Sequence, residues 1–147
     1  MKKIAIVVLF MFMTTVITFA ENWSSTKDFQ AYKGAKAIAK DADMNGNSTV
    51  AVIKYLEAAS IAKGKTTPVI EGWQRNNAAY VLIKSFKINK EKSLLVEAMT
   101  YLTDAEIIVN ELLLKASNEN IEPMNEVLNL KSKVDSNINF CKVKLEN

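Results

Sequence analysis

Histidine is absent from this chain, and cysteine and arginine occur once each, as Cys141 and Arg75. Histidine is the usual general base near neutral pH and the commonest metal ligand. A single cysteine can form no disulfide within the chain. Glycine-rich phosphate loops and the nucleophile-elbow pattern are missing as well. We therefore expect no enzymatic activity, no cofactor and no bound metal.

Glycine and proline are scarce, with four and two residues, and no long segment alternates apolar and polar residues. Apolar residues recur instead at every third and fourth position, the period of an amphipathic helix. This pattern predicts an all-α fold of five helices, at residues 26–40, 49–63, 68–88, 91–116 and 121–144. Short connections predict two antiparallel helical hairpins followed by a C-terminal helix, packed as stacked hairpins or as a bundle. The expected N-caps are Ser25, Ser48, Thr67 and Asn120.

Each predicted helix has one apolar stripe that should face the core. Leu102 lies at the centre of the longest helix, and Cys141 lies on the stripe of the last one, which predicts a buried thiol. The five stripes comprise Phe29, Tyr32, Ala35 and Ala39; Val52, Tyr55, Leu56, Ala59 and Ala62; Trp73, Ala79, Tyr80, Leu82, Ile83 and Phe86; Leu95, Ala98, Leu102, Ala105, Val109, Leu112 and Ala116; and Val127, Leu130, Val134, Ile138, Cys141 and Leu145.

Residues 1–20 have the three parts of a cleavable signal peptide. Lys2 and Lys3 are followed by an uncharged, mostly apolar run, and a small side chain ends it at Ala20. We expect residues 21–147 to form a single helical domain, exported to the periplasm or the cell exterior, with no stable membrane span after cleavage. Removing the two lysines from the 19 basic residues leaves 17 against 16 acidic ones, a net charge of +1. Without a basic cluster, nucleic acid is not an expected partner.

Two groups of acidic residues resemble parts of functional sites but lack the rest. Residues 41–46 read Asp-Ala-Asp-Met-Asn-Gly, like the opening of a calcium loop. The twelfth position, where such a loop has its bidentate glutamate, is Val52. Glu97 and Asp104 share one side of a helix, and a pair of carboxylates is what glycoside hydrolysis uses, but this side of the helix is the solvated one. We interpret the first group as a polar turn and the second as an ordinary charged helix face.

The spacing of small and large residues repeats along the chain. Ala51, Tyr55 and Ala58 are spaced by four and three, and Ala98, Leu102 and Ala105 repeat this spacing 47 residues later. The pattern resembles the second helix of a tetratricopeptide repeat, and Trp73 and Tyr80 match the ends of the first-helix pattern. Asn76 and Asn77 stand where the family has leucine and glycine, and the distance from Tyr80 to Ala98 is twice the family's spacing. The resemblance covers about residues 49–109 and implies stacked helical hairpins; an unrelated helical bundle is the alternative.

In such repeats the first helix of each hairpin lines a concave surface, so the resemblance implies that the third helix here faces a ligand. Its candidate ligand-binding residues are Trp73, Arg75, Asn76, Asn77, Tyr80 and Lys84. Paired asparagines can bind an extended peptide backbone, because each amide offers donors and an acceptor. The sequence thus predicts an exported module that holds a protein or peptide partner in the cell envelope. The alternative is a structural or self-associating helical envelope protein or adhesin.

Overall fold

The computed structural model describes residues 23–65 and 68–147, which form five α-helices and no strand. The helices are α1 (Lys27–Met44), α2 (Ser48–Ala62), α3 (Pro68–Asn89), α4 (Lys92–Asn118) and α5 (Asn125–Glu146). The prediction of an all-helical fold is confirmed for this part of the chain. The predicted signal peptide and the predicted cap Thr67 lie outside the described residues.

Helix α3 is the central element of the bundle. It packs against α2 on one side and α4 on another, and α5 contacts both α3 and α4. Helix α1 packs on α2 and extends the bundle at that edge. This position explains why α3 buries residues over most of its circumference, including the polar side chains of Glu71, Gln74, Asn76 and Ser85.

The predicted apolar stripes form the core. Leu102 and Cys141 are fully buried, and a continuous cluster of buried side chains runs through all five helices. A smaller cluster of buried apolar residues, which includes Trp23, Tyr32 and Ala62, packs α1 against α2. The exception is Tyr80, whose side of α3 is not covered and which is 46% exposed.

The first helix is longer than predicted, because residues 41–44 belong to it and not to the following turn. Ala42 in this last turn is buried against the core, which favours helix over turn. The chain reverses at Gly46, whose φ of 75° is the left-handed conformation that glycine adopts without strain. The Asn47 amide donates to the Ala42 carbonyl over 2.8 Å, the bond that defines a Schellman ending.

The first two helices are capped one residue away from the predicted positions. Thr26, and not Ser25, accepts a hydrogen bond from the Phe29 amide at 3.2 Å. Asn47, and not Ser48, accepts from the Val50 amide at 3.3 Å. Ser48 is the first residue of α2, and its hydroxyl lies 2.7 Å from that of Ser85 in α3. Each cap remains a short polar side chain, as helix N-termini require.

Helix α5 begins at Asn125, so the predicted start at residue 121 and the predicted cap Asn120 are wrong. Asn120 instead ends α4, with a φ of 51°, and the Ile121 amide donates to the Ala116 carbonyl at 3.0 Å. This is a second Schellman ending, in which asparagine takes the left-handed position. Pro123 also disfavours helix at the residue before it, so α5 starts only after the proline.

Candidate ligand-binding groove

An open groove runs along the uncovered side of α3, between α1 and α5. Two concavities of about 470 and 400 Å³ make it up, and Trp73 and Asn77 line both. We call it the α3 groove. Its α3 wall is formed by Ile70, Trp73, Gln74, Asn76, Asn77, Tyr80, Ile83 and Lys87; α1 contributes Tyr32 and Lys36; and α5 contributes Glu126, Lys133, Ser136, Asn137 and Phe140.

Four of the six predicted site residues line this groove. Trp73, Asn77 and Tyr80 are spaced by four and three, so they lie above one another on one side of the helix. Asn76 lies beside them and is only 4% exposed. Lys84 is one turn beyond Tyr80, and its ammonium group lies 5.5 Å from the centre of that ring.

Arg75 lies on a different side of α3. Its Nη2 donates to Glu71 Oε1 at 2.8 Å and its Nη1 to Asp104 Oδ2 at 2.7 Å. Successive helix residues are rotated by about 100°, which places residue 75 roughly opposite Trp73 and Asn77. The only arginine of the chain therefore links α3 to α4, and Asp104 is one of its partners.

Amide side chains join the helices at the floor of the groove. Asn137 Nδ2 donates to Asn76 Oδ1 at 3.0 Å, which connects α5 to α3. Gln74 Nε2 donates to the Tyr32 hydroxyl at 3.2 Å, which connects α3 to α1. The Gln74 carbonyl oxygen is buried and accepts no hydrogen bond from the described residues. Burial, together with the negative charge of Glu126, raises the pKa of Tyr32, so its hydroxyl stays protonated.

Lysine side chains in the groove lie over aromatic rings. The Lys36 ammonium is 5.8 Å from the centre of the Tyr32 ring, and that of Lys87 is 5.0 Å from the Phe140 ring. At these distances the ring face attracts the cation. The Tyr32–Lys36 spacing in α1 is the same as the Tyr80–Lys84 spacing in α3. Lys84 also forms an ion pair with Asp43.

The calcium-like opening is not arranged as a loop. Asp41 and Asp43 lie in the last turn of α1, and Asp43 pairs with Lys84. Within residues 23–65 and 68–147, no three acidic or thiol side chains lie close enough together to hold a metal ion. The Cys141 thiol is buried in the core, and desolvation raises its pKa from 9.0 to about 11. The prediction of a core cysteine is confirmed.

The sequence did not predict the contributions of α1 and α5 to the groove. On α5, Lys133, Asn137 and Phe140 have helical spacing, and together they form a second stripe next to the apolar one. Phe140 was the available signal, because an aromatic residue outside the apolar stripe indicates a second contact surface. On α1, Lys36 follows Tyr32 by one turn, which repeats the spacing of Tyr80 and Lys84, but this spacing alone does not indicate that α1 lies next to α3.

No protein-family model matches the chain, and neither a curated protein nor a solved structure shows significant similarity to it. Among the helices of the described residues, none is both long enough and apolar enough to cross a membrane.

Proposed function

We propose that this protein is an exported helical binding module that holds a protein or peptide partner in the cell envelope, and that the α3 groove is the binding site. The observation that carries this proposal is the convergence of three helices on one open surface. That surface combines partly exposed aromatic rings, amide side chains and lysines, which is the mixture expected where a ligand is oriented by a few polar contacts. No catalytic role is proposed, because the groove residues include neither a nucleophile with a base nor a pair of facing carboxylates.

Contacts between helix ends support an arrangement of stacked antiparallel hairpins. Lys65, after α2, pairs with Asp28 at the start of α1, and Lys92, at the start of α4, donates to the Leu145 carbonyl near the end of α5 at 3.2 Å. In this arrangement α1, α3 and α5 would be the first helices of successive units and would share the groove. The Tyr-x3-Lys spacing in α1 recurs in α3 after 48 residues, close to the 47-residue repeat of the small residues. A repeated helical hairpin of about 47 residues accounts for both, although the unit of a tetratricopeptide repeat is about 34 residues long.

Site-specific photo-crosslinking tests the binding site directly. Tyr80 is 46% exposed, so a benzoyl-phenylalanine at this position keeps an aromatic ring and points into the groove. The matched position is Ile107, which is 51% exposed on α4. We expect a cross-linked partner from residue 80 and none from residue 107 when the protein is made with its export signal in a producing cell. A partner captured only from residue 107 would contradict the proposal.

A pair of double variants then measures the contribution of the groove. Asn77→Ala with Tyr80→Ala removes an amide and a ring from the groove, whereas Ile107→Ala with Asn110→Ala removes an apolar and an amide side chain from α4. Asn77 is preferable to Asn76, because Asn76 is buried and bonded to Asn137. We expect the groove variant to weaken binding of the cross-linked partner by about 1 kcal/mol per lost hydrogen bond, and the α4 variant to leave it unchanged.

The alternative, a self-associating structural protein, is favoured by one feature of α4. Apolar and small polar residues follow one another on its exposed side at spacings of four and three, the pattern of a coiled-coil seam. Val96, Ile107 and Leu114 are 59%, 51% and 61% exposed. We call this surface the α4 stripe; it comprises Val96, Thr100, Thr103, Ile107, Asn110 and Leu114. Two copies could pack along it.

Sedimentation velocity separates the two candidates. The structural alternative predicts a concentration-dependent dimer or larger assembly that the Ile107→Ala and Asn110→Ala variant abolishes. The binding module predicts a monomer that the same variant leaves unchanged. A stable oligomer that depends on the α4 stripe, together with no cross-link from residue 80, would replace the first candidate with the second.

Export has its own test. If cleavage follows Ala20, mass spectrometry of the protein recovered outside the cytoplasm should find Glu21 at the N-terminus. Intact Met1 in a membrane fraction would instead indicate an uncleaved anchor.

A further inference from the structure

Most lysines that line the α3 groove form no ion pair with the residues that the structure describes. Lys36, Lys87 and Lys133 are exposed and come from three different helices, and no carboxylate of the described residues forms an ion pair with any of them. Lys84 is already paired with Asp43, and among the residues that the structure describes Glu126 is the one carboxylate that lines either concavity. The groove therefore has an excess of positive charge, although the chain from residue 21 onward is almost neutral.

From this excess we infer that the groove binds an extended, acidic polypeptide segment, whose side-chain carboxylates pair with Lys36, Lys87 and Lys133. The inference rests on the proposed function and specifies the chemistry of its partner. Charge complementarity of this kind selects partners and accelerates their encounter. Because the lysines come from α1, α3 and α5, a ligand that reaches all of them must cross the groove, which a chain with several carboxylates can do and a single small anion cannot.

The aromatic rings beneath the lysines contribute to this selectivity. Lys36 and Lys87 lie over Tyr32 and Phe140, at 5.8 and 5.0 Å from the ring centres. The attraction between the ammonium group and the ring face restricts the lysine side chain. A lysine that is already restricted loses less entropy when it pairs with a carboxylate, so the contact retains more of its free energy.

The amide groups on the floor match a polypeptide backbone. The Asn76–Asn137 hydrogen bond uses one donor and one acceptor and leaves Asn76 Nδ2 and Asn137 Oδ1 without a partner among the described residues. A peptide group offers one N–H and one C=O, so a segment lying along the groove can satisfy acceptors and donors in turn. Asn76 Nδ2 and Asn137 Oδ1 thus match the C=O and the N–H of a peptide backbone.

The test uses fluorescence anisotropy with three labelled synthetic peptides of the same length, which have glutamate, glutamine or lysine at every third position. The protein is expressed from its complete sequence and purified in the form that the cells produce. We expect the glutamate peptide to bind most tightly and the lysine peptide least tightly. Raising the salt concentration from about 0.05 M to about 0.5 M should weaken the binding of the glutamate peptide, because salt screens exposed charges. The difference in affinity between the three peptides should become smaller as well.

Two double variants with the same net charge locate the effect. Lys87→Gln with Lys133→Gln removes two groove lysines, and Lys40→Gln with Lys142→Gln removes two exposed lysines outside both concavities. We expect the groove variant to lose about fivefold in affinity for the glutamate peptide, the scale of two exposed ion pairs. The control variant should stay within about twofold, since it changes only the distant charge.

The outcomes separate this inference from the proposed function. If the glutamine peptide binds as tightly as the glutamate peptide, the groove binds peptides without regard to charge, and only the acidic partner is overturned. If none of the peptides binds and the residue-80 cross-link is also absent, the binding module itself fails. A carboxylated oligosaccharide that binds when all three peptides do not would overturn the assignment to a polypeptide. An equal loss in both lysine variants would show that binding is not located in the groove.

Discussion

Gly72 in α3 lies so close to Leu130 in α5 that a Cβ atom added to it would stand 2.7 Å from Leu130 Cδ2. Leu130 is fully buried, so its side chain has little room to withdraw. The missing Cβ allows α5 to approach α3 at the level of the α3 groove, and the position of α5 in turn sets the width of that groove.

We predict that Gly72→Ala destabilises the protein by about 1 kcal/mol or more, because overpacking outweighs the better helix propensity of alanine. Gly34→Ala is the matched control. No atom of residues 23–65 or 68–147 lies within 4 Å of a Cβ added at Gly34, so this change should be neutral or stabilise α1 by up to about 1 kcal/mol. Urea denaturation followed by circular dichroism measures both, and combining Gly72→Ala with Leu130→Val should recover part of the loss. A stabilising Gly72→Ala would mean that α5 moves freely on α3.

Leu102 and Leu114 allow the same substitution to be compared inside and outside the core. Leu102 is fully buried, and Leu114, on the same helix, is 61% exposed. Leu102→Asp should cost about 4 kcal/mol or more, because it places an unpaired charge in the packed interior of the bundle. Leu114→Asp should cost less than about 1 kcal/mol. Thermal melts of both variants check this, and similar melting temperatures would contradict the position of the core.

The core could be predicted from the sequence because burial follows helical periodicity. Residues such as Leu95, Leu102 and Val109 occur every seven positions, and no other secondary structure places them on one side. Helix ends were less predictable. The end of α1 depends on tertiary burial of Ala42, and the start of α5 on a Schellman ending at Asn120, neither of which apolar periodicity reveals.

The candidate site could be predicted only as one side of one helix. Trp73, Asn77 and Tyr80 share a side of α3 by their spacing alone, and the same rule excludes Arg75, which is rotated to the opposite side. The tertiary structure, and not the spacing of residues in the sequence, determines which helices lie on either side of α3. Lys36 and Lys133 are ordinary exposed lysines in the sequence, and they become groove residues only because α1 and α5 both lie next to α3.

Arg75 should make a larger contribution to stability than the exposed ion pairs of this protein. Its side chain is 19% exposed and that of its partner Glu71 is 10% exposed, whereas Lys131 and Asp135 are 42% and 48% exposed. Arg75→Met leaves the Glu71 carboxylate largely buried without its donors, which should cost about 2 kcal/mol. Lys131→Met should cost less than about 1 kcal/mol.

A second substitution tests the reason for this difference. We expect Arg75→Met to lower the free energy of unfolding because the buried Glu71 carboxylate loses its hydrogen-bond donors. In that case, adding Glu71→Gln should restore much of the lost free energy, because a neutral amide is easier to bury without a partner. A double-mutant cycle in urea gives the coupling energy of the pair. Strictly additive losses would show that Arg75 stabilises the bundle by packing and by its contact with Asp104 alone.

Cys141 should make the stability of the bundle depend on pH in the alkaline range. Its pKa is raised by burial from 9.0 to about 11. Above pH 9 the unfolded chain therefore releases the thiol proton while the folded protein retains it. The unfolded state then binds fewer protons, so the free energy of unfolding falls as the pH rises from 9 towards 11. The contribution of the Cys141 thiol to the free energy of unfolding is fully present below pH 9 and should decrease by about 1 kcal/mol between pH 8 and pH 10.

Cys141→Ala isolates this effect from the other groups that titrate in the same range. Tyr32, Tyr55 and Tyr101 also have pKa values raised by burial, and their contribution is the same in both proteins. The variant should be less stable than the parent at pH 8, because it leaves a small cavity. Its stability should then decrease less steeply with pH, so the two free energies of unfolding converge by about 1 kcal/mol at pH 10. Parallel curves over this range would show that the thiol ionises as readily in the folded protein as in the unfolded chain, and would place Cys141 in contact with water.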